Sequence, residues 1–402
     1  MGGILKNKKH LSPVSPRTKC IHTSGPEDLW RALTPPLYQT STFTFSDFDQ
    51  VDRVLQGQEE GFVYGRMGNP TTGRFEQLVS ELEGGEKTRS FASGMGAISA
   101  ILIHLTKKEP EIAFPRVLYG GTRAFIEKYL IPSGCLIHWF DPRIDGWEED
   151  LSRKLSSGRG SVFVETPSNP VMTVIDLASL SSITQKAGVP LVVDNTFCTP
   201  ILQKPLSLGA DIVVHSATKY LGGHGDLLGG TVTGRSALID QLSLEEGSYL
   251  GATLAPFNAW LLLRGMKTRP LRMEAHCQGA MKIAEFLSRH PRVKSVHYPG
   301  LSNDPGYKVA VSQMKRFGGM LSFSLGNDRT ARRVASALEL FKIAVSLGDP
   351  ESLIEHPASL SHRQMTPDER MALGIDPGFL RVSVGLEDPE DLISDLKRAL
   401  ES

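Results

Sequence analysis

The sequence lacks several features that would have narrowed its function at once. No apolar run is long enough to span a bilayer. Charge of neither sign dominates: Lys+Arg and Asp+Glu are both 44, so bulk charge gives no reason to expect a nucleic-acid or membrane-surface partner. Cysteine is scarce, and Cys20, Cys135, Cys198 and Cys277 show no CxxC spacing. That argues against a disulfide framework and for reduced thiols in a cytoplasmic protein. No HxxxH pair is present, so no zinc site is expected; His215 and His224 merely flank a glycine loop. Lys6, Lys8 and Lys9 are not followed by an apolar h-region, so a secretory signal is not expected. There are no internal repeats and no low-complexity tract.

What remains is an ordinary globular composition, 40% hydrophobic and 22% charged over 402 residues. That length suggests about two or three domains and a large core. Residues 1–60 are rich in Ser, Thr and Pro, and Pro35-Pro36 breaks any helix. Residues 1–63 are therefore expected to form an N-terminal arm that packs on another subunit, its first residues a flexible tail.

Helical spacing of Phe75, Leu78, Val79 and Leu82 stops at Gly84-Gly85. Ser93-Gly94-Met95-Gly96 opens an apolar helix through Leu105. Such a turn presents free N–H groups to an anion, although close backbone packing explains it equally well. Val162 to Glu165, Leu191 to Asp194 and Ile212 to Val214 read as short apolar strands. Leu177, Leu180, Ile183 and Ala187 lie on a helix between the first two. Continuous apolar strands between amphipathic helices imply a mainly parallel sheet covered on both faces, an α/β fold. Ligands bind at the C-terminal ends of such strands, where Asn169, Asp194 and Ser216 to Lys219 fall.

From residue 259 the character changes. A long helix carries Ala275, Ile283, Ala284 and Leu287, and Leu321–Leu325 alternates as a half-buried strand. A helix is expected around Val334, Leu338 and Phe341, a second alternating strand at Arg381–Val384, and a last helix capped by Asp388 with Pro389 in its first turn. Residues 64–258 and 259–402 are thus expected as a larger and a smaller α/β domain.

The stretch His215-Ser216-Ala217-Thr218-Lys219 follows a strand and leads into a loop rich in glycine. A lysine there can form a Schiff base with an aldehyde, and the two hydroxyls can donate to a phosphate. On these residues alone, an ordinary lysine after a strand fits as well.

Taken together, Tyr64-Gly65-Arg66, Ser93-Gly94-Met95, Leu118-Tyr119-Gly120-Gly121-Thr122, Asp194-Asn195-Thr196, His215 to Lys219 and Leu380-Arg381-Val382-Ser383-Val384-Gly385 resemble the pyridoxal-phosphate enzymes of cysteine and methionine metabolism, the trans-sulfuration enzymes. The resemblance runs from about residue 35 to the C-terminus. It implies pyridoxal 5′-phosphate as cofactor and the fold-type I, aspartate-aminotransferase-like architecture. It also implies a homotetramer built from dimers, with each site shared between subunits.

By the same resemblance Lys219 is the Schiff-base lysine and proton carrier, and Asp194 pairs with the pyridine nitrogen. Tyr119 stacks on the cofactor and protonates the leaving sulfur. Ser216, Thr218 and the N–H groups of Gly94 and Met95 hold the phosphate, and Tyr64 and Arg66 reach it from the neighbouring subunit. Arg381 grips the substrate carboxylate, with Asn169 and Ser346 near cofactor and substrate. His356-Pro357-Ala358-Ser359 belongs to the same signature, with no chemical role derivable from its residue types.

Val345-Ser346-Leu347-Gly348-Asp349 looks most like the methionine γ-lyases. In the cystathionine enzymes the position of Val345 is typically glutamate, and the position of Ala124 is typically arginine, here one place early as Arg123. Methionine γ-lyases, however, usually carry a cysteine where Gly121 stands and a Lys-Asp pair near Gly247-Ser248. The expected activity is α,γ-elimination of methionine or homocysteine. The alternatives are cystathionine γ-lyase or γ-synthase activity, an O-acylhomoserine sulfhydrylase, and a non-catalytic regulator that keeps the fold.

Overall fold

The computed structural model describes residues 14–22 and 30–402. The stretches 1–13 and 23–29 of the expected arm, including Lys6, Lys8 and Lys9, lie outside the described residues.

Seven strands form the larger sheet: β1 (Lys87–Phe91), β2 (Glu111–Pro115), β3 (Leu136–Phe140), β4 (Ser161–Glu165), β5 (Leu191–Asp194), β6 (Ile212–Ser216) and β7 (Gly230–Gly234). Their order is β1-β7-β6-β5-β4-β2-β3. Only β7 runs against its neighbours, so the sheet is mainly parallel. Its parallel strands β4, β5 and β6 carry apolar residues on both faces. On β5, Val192 joins the core beneath helix Gly94–Lys108, while Leu191 and Val193 join the opposite core with Leu177 and Leu180. Two covered faces explain why these segments read as continuous apolar runs.

The flanking helices start and stop where side-chain chemistry dictates. Asn69 caps helix Pro70–Glu83 by accepting from Thr71 N at 2.8 Å, and Gly84 ends it at φ +81°. Asp176 caps helix Leu177–Ala187 through two amides at 3.0 Å, and Gly188 ends it at φ +70°.

Helix Pro256–Arg289, roughly 50 Å long by its rise, joins the larger sheet to a smaller one. Its first half packs Leu262, Leu263 and Met266 against helix Pro70–Glu83, and its second half packs Ala280, Ile283 and Leu287 on the smaller sheet. That sheet contains β8 (Ser295–His297), β9 (Met320–Ser324), β10 (Lys342–Ile343), β11 (Leu353–Glu355) and β12 (Phe379–Ser383) in the order β10-β11-β12-β9-β8. All its pairings except β10 with β11 are antiparallel.

Two sequence expectations change here. The alternating segments at 321–325 and 381–384 are not half-buried: β9 and β12 are buried at every position. They are central strands, and their polar face meets the larger lobe instead of water, as where Ser322 Oγ donates to Pro170 O at 2.7 Å. The helix expected through Leu338 and Phe341 is Asp328–Ala337; both residues lie beyond it yet stay in the same core. Among the described residues, no helix is long and apolar enough to cross a membrane.

Candidate active site

The parallel pairing of β4, β5 and β6 brings their C-terminal ends into one row, with Glu165 in register with Asp194 and Asp194 with Val214. Asp194 accepts from Thr196 twice, from the hydroxyl at 2.5 Å and the amide at 3.0 Å, both on Oδ1. The Thr196 hydroxyl in turn accepts from Ser216 N at 2.9 Å, tying the two strand ends together. Burial raises the Asp194 pKa, against these hydrogen bonds and the charge of His215. A cationic partner at Asp194 would reverse that shift.

Lys219 stands three residues beyond β6. Its Nζ donates to Ser346 Oγ at 2.8 Å. Burial lowers its pKa, and the Arg381 charge lowers it further, so the neutral amine is more accessible than in a solvated lysine. Ser346 has φ +102°, a region that strains any residue with a side chain. The strain is held from both sides, because the Ser346 carbonyl accepts from Arg381 Nη2 at 2.8 Å.

Arg381 is buried on β12. Nη1 donates to Asn169 Oδ1 at 3.0 Å, and Nη2 pairs with Glu355 of β11 at 2.5 Å. Its Nε is buried and has no hydrogen-bond partner among the described residues, a donor that a substrate carboxylate can satisfy.

At the start of helix Gly94–Lys108, Ser93 Oγ accepts from Gly96 N at 3.0 Å and Ser93 O from Ala97 N at 3.1 Å. The amides of Gly94 and Met95 precede both and are available to an anion. A Cβ on Gly94 would lie 2.7 Å from Ser216 Oγ, so only glycine allows this approach. The Thr218 hydroxyl is exchanged with Gly229, accepting from its N–H at 3.0 Å and donating to its carbonyl at 3.2 Å.

Tyr119 precedes helix Gly120–Phe125, its ring against Gly121 and its amide donating to Glu165 Oε2 at 3.0 Å. Burial and the nearby Glu165 raise the phenol pKa, opposed by Arg381, so the phenol keeps its proton. Tyr64 and Arg66 are not joined to this cluster by any contact among the described residues. Arg66 donates to Ser248 O at 2.7 Å and lies over the Tyr64 ring. Together with Gln39, Ser41, Thr253 and Pro256 they line a separate open groove of about 360 Å³.

A sequence profile of the Cys/Met metabolism PLP-dependent enzymes matches residues 17–401. The chain belongs to this family. Its cofactor is pyridoxal 5′-phosphate. An L-methionine gamma-lyase of Pseudomonas putida is 45% identical over 388 residues, 96% of this chain and 97% of that protein. A cystathionine gamma-lyase of Bacillus subtilis strain 168 is 43% identical over 372 residues, 92% of this chain and 95% of that protein. Among solved structures, a cystathionine gamma synthase from Xanthomonas oryzae pv. oryzae in complex with aminoacrylate and cysteine superposes with a TM-score of 0.90 at 38% identity, covering 97% of this chain and 98% of that one. A Campylobacter jejuni protein solved with N'-pyridoxyl-lysine-5'-monophosphate gives a TM-score of 0.91 at 33% identity, over 97% and 100%.

The residues suit the PLP of this family. The close approach of Gly94 to Ser216 brings the first amides of the helix and the serine hydroxyl together, a donor set that suits a phosphate, and Asp194 Oδ2 has no hydrogen-bond partner in the protein among the described residues. Two residues of the cluster were given no site role by the sequence reading, Glu165 and Glu355, and Thr196 entered it only as part of a motif. Glu165 had a usable signal, since it ends an apolar strand beside the one that Asp194 ends. The His356 signature gains a structural role: its ring bonds Ser359 Oγ at 2.7 Å and Pro377 O at 3.0 Å, closing the loop after β11.

Proposed function

We propose that this family member catalyses α,γ-elimination of the methionine γ-lyase type, converting methionine or homocysteine to 2-oxobutanoate, ammonia and a thiol. The similarity to L-methionine gamma-lyases supports the reading. The observation that carries it is Val345. It adjoins Ser346, the partner of the Lys219 amine, and is 55% exposed. It offers an apolar wall for a methylthio group and no partner for the distal ammonium of cystathionine, whose unpaired charge is costly to desolvate.

When bound, the cofactor takes up the electron pair left at Cα, and so also acidifies Cβ. Asp194 would pair with the pyridine nitrogen and keep it protonated. Arg381, fixed by Glu355 and Asn169, orients the substrate carboxylate. Lys219, with its lowered pKa, takes the Cα proton and then moves a proton at Cβ. Tyr119, whose phenol retains its proton, delivers it to the departing sulfur. The amides of Gly94 and Met95 and the Ser216 hydroxyl would hold the phosphate, joined by Thr218 once its hydroxyl turns from Gly229 O.

Tyr64 and Arg66 complete the site of a neighbouring copy in a cytoplasmic homotetramer built from dimers. Support comes from the lack of any contact between them and Lys219 among the described residues, and from exposed apolar residues: Leu33 of the arm is 98% exposed, and Tyr249, next to the Ser248 that Arg66 holds, is 81% exposed. The domains divide as arm 1–63, cofactor domain 64–258 and smaller domain 259–402.

The test is kcat/KM for methionine, homocysteine and cystathionine, by keto-acid release. Methionine or homocysteine should exceed cystathionine, and Val345→Glu should shift the ratio toward cystathionine. A wild-type preference for cystathionine by a wide margin overturns the reading.

A further inference from the structure

Glu165 is a buried acid that the reaction sequence above leaves without a task. It ends β4 and is 6% exposed. Among the described residues, no hydrogen bond or ion pair joins it to a cationic side chain. Among these residues its hydrogen-bond partners are two backbone amides: Oε2 accepts from Tyr119 N at 3.0 Å, and Oε1 accepts from Asn169 N at 2.8 Å. These amides belong to different loops, one leaving β2 and one leaving β4. An isolated carboxyl in such a place is expensive, and a neutral apolar side chain would fill the volume without that cost. Burial and the facing Asp194 push its pKa up to about 8.

We propose that Glu165 is a positioning residue for Tyr119, a bracket that fixes the Tyr119 backbone and thereby aims the phenol at the leaving sulfur. The inference rests on the reading of Tyr119 as proton donor. Tyr119 has little else to hold it. Its side chain makes no capping bond to the helix it precedes, and its ring rests on Gly121, a residue with no side chain to direct it. The same bracket reaches Asn169, whose Oδ1 receives Arg381, so one carboxyl sets the proton donor and the carboxylate-binding arginine relative to each other.

The step it serves is cleavage of the Cγ–S bond. The pair left at Cβ by its lost proton forms the Cβ=Cγ bond as the Cγ–S pair leaves with sulfur, and the Tyr119 phenol proton joins that sulfur to give the thiol, leaving a phenolate for the next proton to refill. The need for the proton depends on the leaving group. A methanethiolate is a strong base and needs it; a 4-nitrothiophenolate is a weak base and departs without it.

The experiment compares methionine with S-(4-nitrophenyl)homocysteine on holoenzyme carrying Glu165→Gln. The variant keeps the shape but turns an amide NH2 toward a backbone N–H, so one of the two bonds is lost. Tyr119→Phe, run in parallel, calibrates the response. The expected result is a kcat lower on the order of 10- to 100-fold with methionine and less than about threefold with the nitrophenyl thioether. The visible band of the bound cofactor should be unchanged. Independently of turnover, hydrogen exchange of the holoenzyme should speed up at the amides of Tyr119 and Asn169. If Glu165→Gln does not fold, Glu165→Asp, one methylene or about 1.5 Å too short to span both amides, is read the same way. Equal losses on both substrates, or unchanged exchange at both amides, overturn the proposal for Glu165. If Tyr119→Phe itself shows no dependence on the leaving group, the proton-donor reading of Tyr119 falls, and this inference falls with it.

Discussion

Gly94→Ala tests the phosphate cradle most directly. The new Cβ would lie 2.7 Å from Ser216 Cβ and Oγ and 3.0 Å from its Cα. Relaxed carbon contacts are about 3.5–4.0 Å. The Ser216 hydroxyl can rotate, but its Cα is the backbone end of β6, three residues before Lys219, and cannot retreat without moving the strand. Overpacking of this kind costs about 1–3 kcal/mol. Replacing glycine by alanine in a helix returns up to about 1 kcal/mol, less at this first turn. Net stability should therefore fall by less than about 3 kcal/mol. Cofactor affinity has no such compensation, because the methyl group stands between the two amides and the serine that would hold the phosphate. Loss of one hydrogen bond to the charged phosphate, about 1.5–3 kcal/mol, corresponds to binding about 10- to 150-fold weaker. Absorbance titration of pyridoxal 5′-phosphate into stripped protein gives the affinity, and a thermal melt gives the stability. Wild-type affinity in the variant would refute the cradle as drawn.

Two further outcomes follow from the same site. Lys219→Ala should abolish keto-acid production while leaving the circular-dichroism spectrum native, since no other amine bonds Ser346; an alanine variant with substantial turnover contradicts the assignment. Mixing Lys219→Ala subunits with Arg66→Ala subunits should restore part of the activity, because one class of hybrid site has both residues. A mixture no more active than its parents, after confirmed subunit exchange, would place Arg66 in the service of its own chain or of none.

The larger lobe was legible because its signals are local. β4, β5 and β6 are unbroken apolar runs, Asn69 and Asp176 announce their helices, and Gly84 and Gly188 end them. The Lys219 loop was legible as a set of residue types only in company with the other motifs. Pairing across long sequence separations was not legible. Glu355 meets Arg381 because β11 and β12 are antiparallel neighbours, a register that neither segment states by itself. β9 and β12 alternate in sequence as though one face were wet. Their polar positions are instead matched to hydrogen-bonding groups of the other lobe, which periodicity cannot distinguish from water. Glu165 looked like the polar end of a strand, since both its partners are backbone amides and leave no mark in the residue types.

The contacts that tie the two sheets together are also the contacts that build the site. Lys219 from the larger lobe holds Ser346 of the smaller, and Arg381 from the smaller holds Asn169 of the larger, with Ser322 bonded to Pro170 close by. The chemistry sits in a weld. Any motion that parts the lobes separates the amine from its hydroxyl and the guanidinium from its amide in one stroke, with each fold still intact. Substitutions far from the cleft that loosen this joint act as catalytic lesions, and activity is the most sensitive gauge of how firmly the two halves are joined.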